Sequence, residues 1–177
     1  IKYVVARHER GAGSMADGYA RASGKVGVCQ MHSGPGTLNG MLSIADAYRD
    51  SSPVVLLAGQ VNRSLIGREI FGETNQFGVF KSYTKSCERI MRVEEIPRII
   101  DNAFRLARSG RPGPVMVEMP EDIYSDTGNV EPMLSRGEGE QSVIETPLEV
   151  VKEAANRLMN AERPLILSGG GVIWSNA

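Results

Sequence analysis

The sequence predicts an α/β fold, a doubly wound parallel sheet with helices on both faces. Two observations carry that prediction. Strand-like runs at 3–6, 26–31, 54–58, 115–119 and 165–168 alternate with helical patterns at 11–22, 37–49, 96–109 and 148–160. The runs are also nearly continuously apolar, as strands covered on both faces should be. The helix at 96–109 has the clearest period, with Ile96, Ile99, Ile100, Ala103, Phe104 and Ala107 on one stripe. Pro53 and Pro114 open strands, where a missing N–H does least harm.

The 177 residues suffice for one ordinary domain and the start of another. A net charge of -1 gives no electrostatic reason to expect a nucleic acid or an anionic membrane as partner. Glycine, 20 of 177 residues, exceeds the average of about 7% and clusters after apolar runs, which points to close backbone approaches. Cys29 and Cys87 make no disulfide framework, and Cys29 reads as a reduced, buried small hydrophobe. No apolar run reaches the roughly 20 residues a membrane span needs, and no secretory signal pattern is present, so a cytosolic setting is expected. Residues 120–146 break the strand–helix pattern with prolines, glycines and acids. The expected organisation is a first domain over 1–125, a linker over 126–146 and the beginning of a second domain over 147–177, its first helix capped by Thr146 with Pro147 at the first helical position. The chain starts within an apolar run and stops soon after Gly169-Gly170-Gly171, so it reads as a segment of a longer polypeptide.

Chemistry concentrates in residues 7–36. Arg7-His8-Glu9-Arg10 closes the first apolar run, which places Glu9 at the carboxyl end of a strand, where open α/β sheets hold their ligands. On composition alone this is a solvated charge cluster. The next helix changes the balance: Gly11, Ala12, Gly13, Ser14, Ala16, Gly18, Ala20 and Ala22 make it small on nearly every face and poor helix-former material at its glycines. A close subunit contact or a ligand would explain that choice. Further on, Ser33-Gly34-Pro35-Gly36 turns a strand into a helix. Alone it suggests either a phosphate cradle or a purely structural turn, and neither a Walker nor a G-x-G-x-x-G pattern is present.

Together these residues resemble the pyrimidine-binding domain of thiamine-diphosphate enzymes of the acetolactate synthase type. The stretch Asp46-Ala47-Tyr48-Arg49-Asp50-Ser51-Ser52-Pro53-Val54-Val55 and the triplet Gly59-Gln60-Val61 match that family's pattern, and Pro164-Leu165-Ile166-Leu167-Ser168 resembles the first strand of its Rossmann-like central domain. The resemblance implies thiamine diphosphate as cofactor, with Glu9 as the catalytic acid that hydrogen-bonds the aminopyrimidine ring and Ser33, Gly34, Pro35 and Asn39 as cofactor contacts. It implies Mg²⁺ held by a C-terminal domain not in this chain. A carboxyl kept from water beside a ring nitrogen is expected to have a raised pKa.

Other positions resemble the family with departures. Phe71-Gly72-Glu73 stands where acetolactate synthases carry Phe-Gln-Glu, whose Gln lines the active site. His32 stands where that subfamily usually has Thr, either as a donor or acid–base group or as a packed histidine. Glu121 replaces an active-site Lys. His32, Phe71, Gly72 and Glu121 are therefore candidate substrate-pocket residues, and two of them argue for a changed substrate. Lys85 matches a family position and otherwise reads as a solvated charge. Arg111 matches an Arg that contacts FAD in flavin-dependent members, which makes FAD a candidate cofactor; helix-capping explains its glycine and proline neighbours without one. The implied activity is decarboxylation of a small-molecule 2-oxo acid with carboligation to a second carbonyl, in a homodimer or homotetramer. A simple 2-oxo acid or acyl-CoA decarboxylase is the alternative, and a non-catalytic dimerising α/β module is the second.

Overall fold

The computed structural model describes residues 1–130 and 146–175. It contains four parallel strands: β1 (Gly27–Met31), β2 (Val54–Gln60), β3 (Cys87–Arg89) and β4 (Val115–Pro120), in the order β1-β2-β4-β3. Helix α1 (Glu9–Ser23) precedes them, and α2 (Pro35–Asn39), α3 (Met41–Arg49), α4 (Gln76–Phe80) and α5 (Ile96–Arg108) lie between them. The chain divides into two units, Ile1–Arg136 and Gly137–Ala177. The second contains α6 (Leu148–Asn160) and α7 (Gly170–Ser175).

Handedness decides which face each helix covers. The step from β1 to β2 runs one way along the sheet and the step from β3 to β4 runs the other way. Right-handed crossovers therefore put their helices on opposite faces. On one face, Cys29, Met31, Val54, Leu56 and Ala58 meet Ala16 of α1, Ile44 and Ala47 of α3, and Phe80 of α4. On the other, Val55, Val115 and Val117 meet Ile99, Ala103 and Ala107 of α5. Alternate residues of β2 thus serve two cores, which is why that strand reads as an unbroken apolar run. Burial also pushes the Cys29 thiol up to about 12, leaving it un-ionised at neutral pH.

Several expectations need correction. Residues 3–6 form no strand; Tyr3, Val4 and Val5 are exposed and have no ladder partner. Residues 165–168 are likewise irregular, since no strand lies beside them among the described residues of the second unit. A strand is stabilised by its neighbour's N–H and C=O groups, so apolar sequence alone does not suffice. The pattern at 37–49 is two helices, divided at Gly40, where Met31 fills the space a side chain would need. The helix after the linker begins at Leu148 with Pro147 as its N-cap, one residue later than expected. Most of the expected linker, residues 131–145, lies outside the described residues.

One charged group is fully buried in the sheet. Glu118 of β4 accepts hydrogen bonds from Arg89 of β3 and from Gln60 Nε2 of β2, the latter at 3.0 Å. Arg89 in turn lies over the Phe77 ring, 5.1 Å from its centroid. Removing one member of such a pair leaves an uncompensated buried charge, which outweighs the pair's own net contribution. Arg89→Met should therefore lower unfolding free energy by about 3 kcal/mol, and adding Glu118→Gln should recover most of that loss. Urea unfolding of the two variants checks this, and a double variant no better than the single would show that the buried charge is not the cause.

Candidate functional site

The parallel register brings the carboxyl ends of β1, β2 and β4 to one edge, with Met31 beside Ala58 and Gln60 beside Pro120. The chain leaves β1 through His32 and Ser33. Gly59 of β2 lies so close that a Cβ there would meet Ser33 N at 2.8 Å. Thr37 Oγ1 donates to the His32 carbonyl at 2.7 Å and ties the start of α2 to the end of β1. Gly34, the N-cap of α2, has φ 58 and ψ -116, a conformation open to glycine and strained for other residues.

Glu9 does not end a strand. It is the first residue of α1, whose N-cap His8 accepts from the Arg10 N–H through Nδ1 at 3.1 Å. The start of a 15-residue helix favours a carboxylate, because unpaired N–H groups and the helix dipole point toward it. The Glu9 carboxyl lies over the backbone of Gly36, where a Cβ would meet Oε1 at 3.1 Å. Asn39 Nδ2, at the end of α2, donates to Glu9 Oε2 at 3.4 Å. Glu9, His32, Gly36 and Asn39 thus come together from two helices and one strand end.

The expected rise in the Glu9 pKa is not found; the carboxyl lies below its ordinary value. A hydrogen bond from its own backbone N–H contributes most, followed on the same side by Asn39 and by the charges of His8 and His32. Partial desolvation opposes them and is outweighed, because Glu9 is half-buried and still open to water.

The remaining candidates divide between the two ends of the sheet. Gly72 belongs with Glu9: its carbonyl lies 2.3 Å from where a Gly34 Cβ would stand. It occupies the third position of a turn closed by Glu73 N–H donating to the Ile70 carbonyl at 3.0 Å, with φ 87. Such a turn selects glycine, which accounts for its presence where the resembling enzymes carry Gln. Phe71, one residue earlier, is almost wholly exposed. Pro35 is the exposed first residue of α2. Glu121 is exposed at the carboxyl end of β4, beyond β2 from the Glu9 cluster.

Arg111 and Lys85 lie at the opposite, amino end. Arg111 donates to Ser51 Oγ at 2.8 Å and to the Tyr48 and Arg49 carbonyls at 3.2 and 3.0 Å, and its guanidinium stacks over the Tyr48 ring. It closes the carboxyl terminus of α3. Lys85 Nζ donates to the Leu106 and Ser109 carbonyls at the end of α5, and partial burial lowers its pKa. Lys85 is thus a helix cap and not a free surface charge.

Residues 1–79 match the family described as thiamine pyrophosphate enzyme, N-terminal TPP binding domain. Over that segment the chain is similar to thiamine pyrophosphate enzymes, and its relatives extend the similarity along its whole length. Among these relatives, it is 42% identical over 177 residues to the acetolactate synthase isozyme 2 large subunit of Escherichia coli, covering 100% of this chain and 32% of that protein. It is 43% identical over 182 residues to an acetolactate synthase large subunit assigned in Methanocaldococcus jannaschii, again covering all of this chain and 31% of the relative. A solved Mycobacterium smegmatis structure, assigned as a thiamin diphosphate-dependent enzyme, superposes with a TM-score of 0.80 at 26% identity over 100% of this chain and 34% of that one. The chain spans about a third of the length of the relatives it matches. No helix among the described residues is long and apolar enough to cross a membrane.

Two further residues of this segment had no signal in the sequence beyond the family pattern. Gln60 Nε2 donates to the Thr74 carbonyl at 3.3 Å as well as to Glu118, and Gln76 Nε2 donates to the Gly59 carbonyl at 2.7 Å. Both fasten the loop after β2 to the sheet.

The Glu9 geometry makes a direct prediction for this chain. A ¹³C carboxyl titration should place the Glu9 midpoint below that of a free glutamate, and Asn39→Ala should move it upward. By linkage, this depressed pKa adds stability above the unfolded-state value, and that stability is lost as pH falls through the folded one. A midpoint above the free value would overturn this account of the carboxyl's surroundings.

Proposed function

We propose that this chain forms the pyrimidine side of a thiamine-diphosphate site that decarboxylates a 2-oxo acid and joins the product to a second carbonyl, as acetolactate synthases do. The observation that carries the reading is the Glu9 carboxylate held over Gly36 and beside Asn39. That cradle fits an aminopyrimidine edge: an acceptor oxygen for a protonated ring nitrogen, an amide beside it, and a glycine floor that leaves room for a flat ring. Ser33, Gly34 and Pro35 shape the adjoining turn. The cofactor, when bound, supplies the electron sink for loss of CO₂.

The chain's own part is to bind, orient and handle one proton. Glu9 holds or passes a proton at the ring nitrogen, and an ionised carboxylate at neutral pH is the form able to accept it. Asn39 fixes the carboxylate's rotation. His32, Phe71, Gly72 and Glu121 are proposed to face the substrate, with Gly72 leaving open space where a Gln side chain would project. Mg²⁺ and a diphosphate-binding domain belong to the same reading, together with a homodimer or homotetramer in the cytoplasm. FAD is retained as a candidate cofactor with Arg111 as its residue, although Arg111 here closes α3.

The test uses the full-length gene product with thiamine diphosphate, Mg²⁺ and pyruvate, following CO₂ and acetolactate together. Both should appear, and Glu9→Gln should lower kcat by about 10²-fold or more. CO₂ without acetolactate would restrict the activity to decarboxylation. Unchanged turnover in Glu9→Gln would remove Glu9 from the chemistry.

A further inference from the structure

The loop between β2 and α4 is fastened at both ends and folded around one carboxylate. Glu73 Oε1 accepts the Gly67 N–H at 2.5 Å. Its Oε2 is buried with no hydrogen-bond partner, while the Gly67 contact, and to a lesser degree other backbone N–H groups of the loop, hold the carboxyl below the usual glutamate range against partial desolvation. Wrapping the chain this tightly around one side chain takes left-handed backbone at intervals. The loop supplies it at Gly67 (φ 85), at Glu69 (φ 53) and at Gly72 (φ 87). Glu69 is a residue type that rarely adopts such a conformation, so something must hold it there. The Glu73 carboxylate pins the backbone two residues earlier, at Gly67.

The ends of the loop are tied down separately. Asn62 Oδ1 accepts from the Ser64 N–H at one end, and at the other Gln60 and Gln76 fasten Thr74 and the start of α4 to β2. What remains is the middle, and it lies against the site. The Gly72 carbonyl is packed on Gly34, within the turn proposed to approach the cofactor ring.

We propose that Glu73 is a positioning residue whose carboxylate folds residues 66–72 into a loop that clamps the Ser33–Gly34 turn and keeps it in the shape that binds thiamine diphosphate. The ligand's identity rests on the functional reading above; the loop's dependence on Glu73 does not. Arg68, exposed within the loop, provides a direct readout. Trypsin cuts after it only when the loop opens, which the Gly67 contact with Glu73 opposes.

The experiment compares the full-length gene product with its Glu73→Ala and Glu73→Gln variants. Tryptic cleavage giving a fragment that starts at Glu69 should be about tenfold faster in Glu73→Ala, with Glu73→Gln between the two because it retains one acceptor oxygen. The Kd for thiamine diphosphate with Mg²⁺ should weaken about tenfold in Glu73→Ala, while kcat at saturating cofactor stays within about twofold of wild type. A general loss of stability would not produce that split. Unchanged cleavage in both variants overturns the proposal. Faster cleavage with an unchanged Kd overturns the positioning role and leaves Glu73 as a loop anchor. If the wild-type protein binds no thiamine diphosphate, the functional reading fails, while the cleavage comparison still decides whether Glu73 holds the loop.

Discussion

Parallel pairing of β1, β2 and β4 is the constraint on which the rest depends. It forces every strand to finish at the same edge, so the segments leaving them converge. Met31, Ala58 and Glu118 lie side by side in register, and within two residues of each the chain turns out of the sheet. Antiparallel pairing would send alternate strand ends to opposite edges and scatter these turns. The convergence also crowds the backbone, and glycine at 34, 59 and 72 is the response to that crowding.

The two ends of the sheet consequently have different electrostatic jobs. At the amino end, Arg111 and Lys85 meet the carbonyl termini of α3 and α5, where cations are favoured. At the carboxyl end, Glu9 meets the amino terminus of α1, where an anion is favoured. Both arrangements follow from helices running antiparallel to the strands they cover. A side chain's end of the sheet therefore says a good deal about its sign. It also separates residues that the family resemblance would group as site residues: Glu9, His32, Gly72 and Glu121 share an end, and Arg111 does not.

Legibility in the sequence followed the number of faces a segment buries. β2 and β4 bury both faces and read as apolar runs; α5 buries one stripe and reads with a helical period. β3 is only Cys87–Arg89, with two charged residues whose partners, Arg98 and Glu118, are remote in sequence, so nothing local marks it as a strand. α4 carries Gln76 and Gly78 in five residues and has no period to detect. Conversely, residues 3–6 have strand composition without a strand partner. Placing Glu9 correctly required knowing that, since its position at a helix start, and with it the downward shift of its pKa, depends on the preceding run not pairing. The site residues themselves were reached through the family resemblance; Gln60 and Glu73 lie in matched motifs too, but the carbonyl of Thr74 and the N–H of Gly67 that they meet are backbone groups a motif does not reveal.

The left-handed turn at Gly72 bears on how this site can change over evolutionary time. A glutamine at 72 would have to adopt φ 87, at a cost of roughly 1–2 kcal/mol for a residue with a Cβ, or the turn would have to flip and withdraw the carbonyl that rests on Gly34. Exchanging this glycine for glutamine alone is therefore not a neutral step. A side chain at 72 goes together with a differently shaped turn, so the composition of this position and the packing on Gly34 change as one unit.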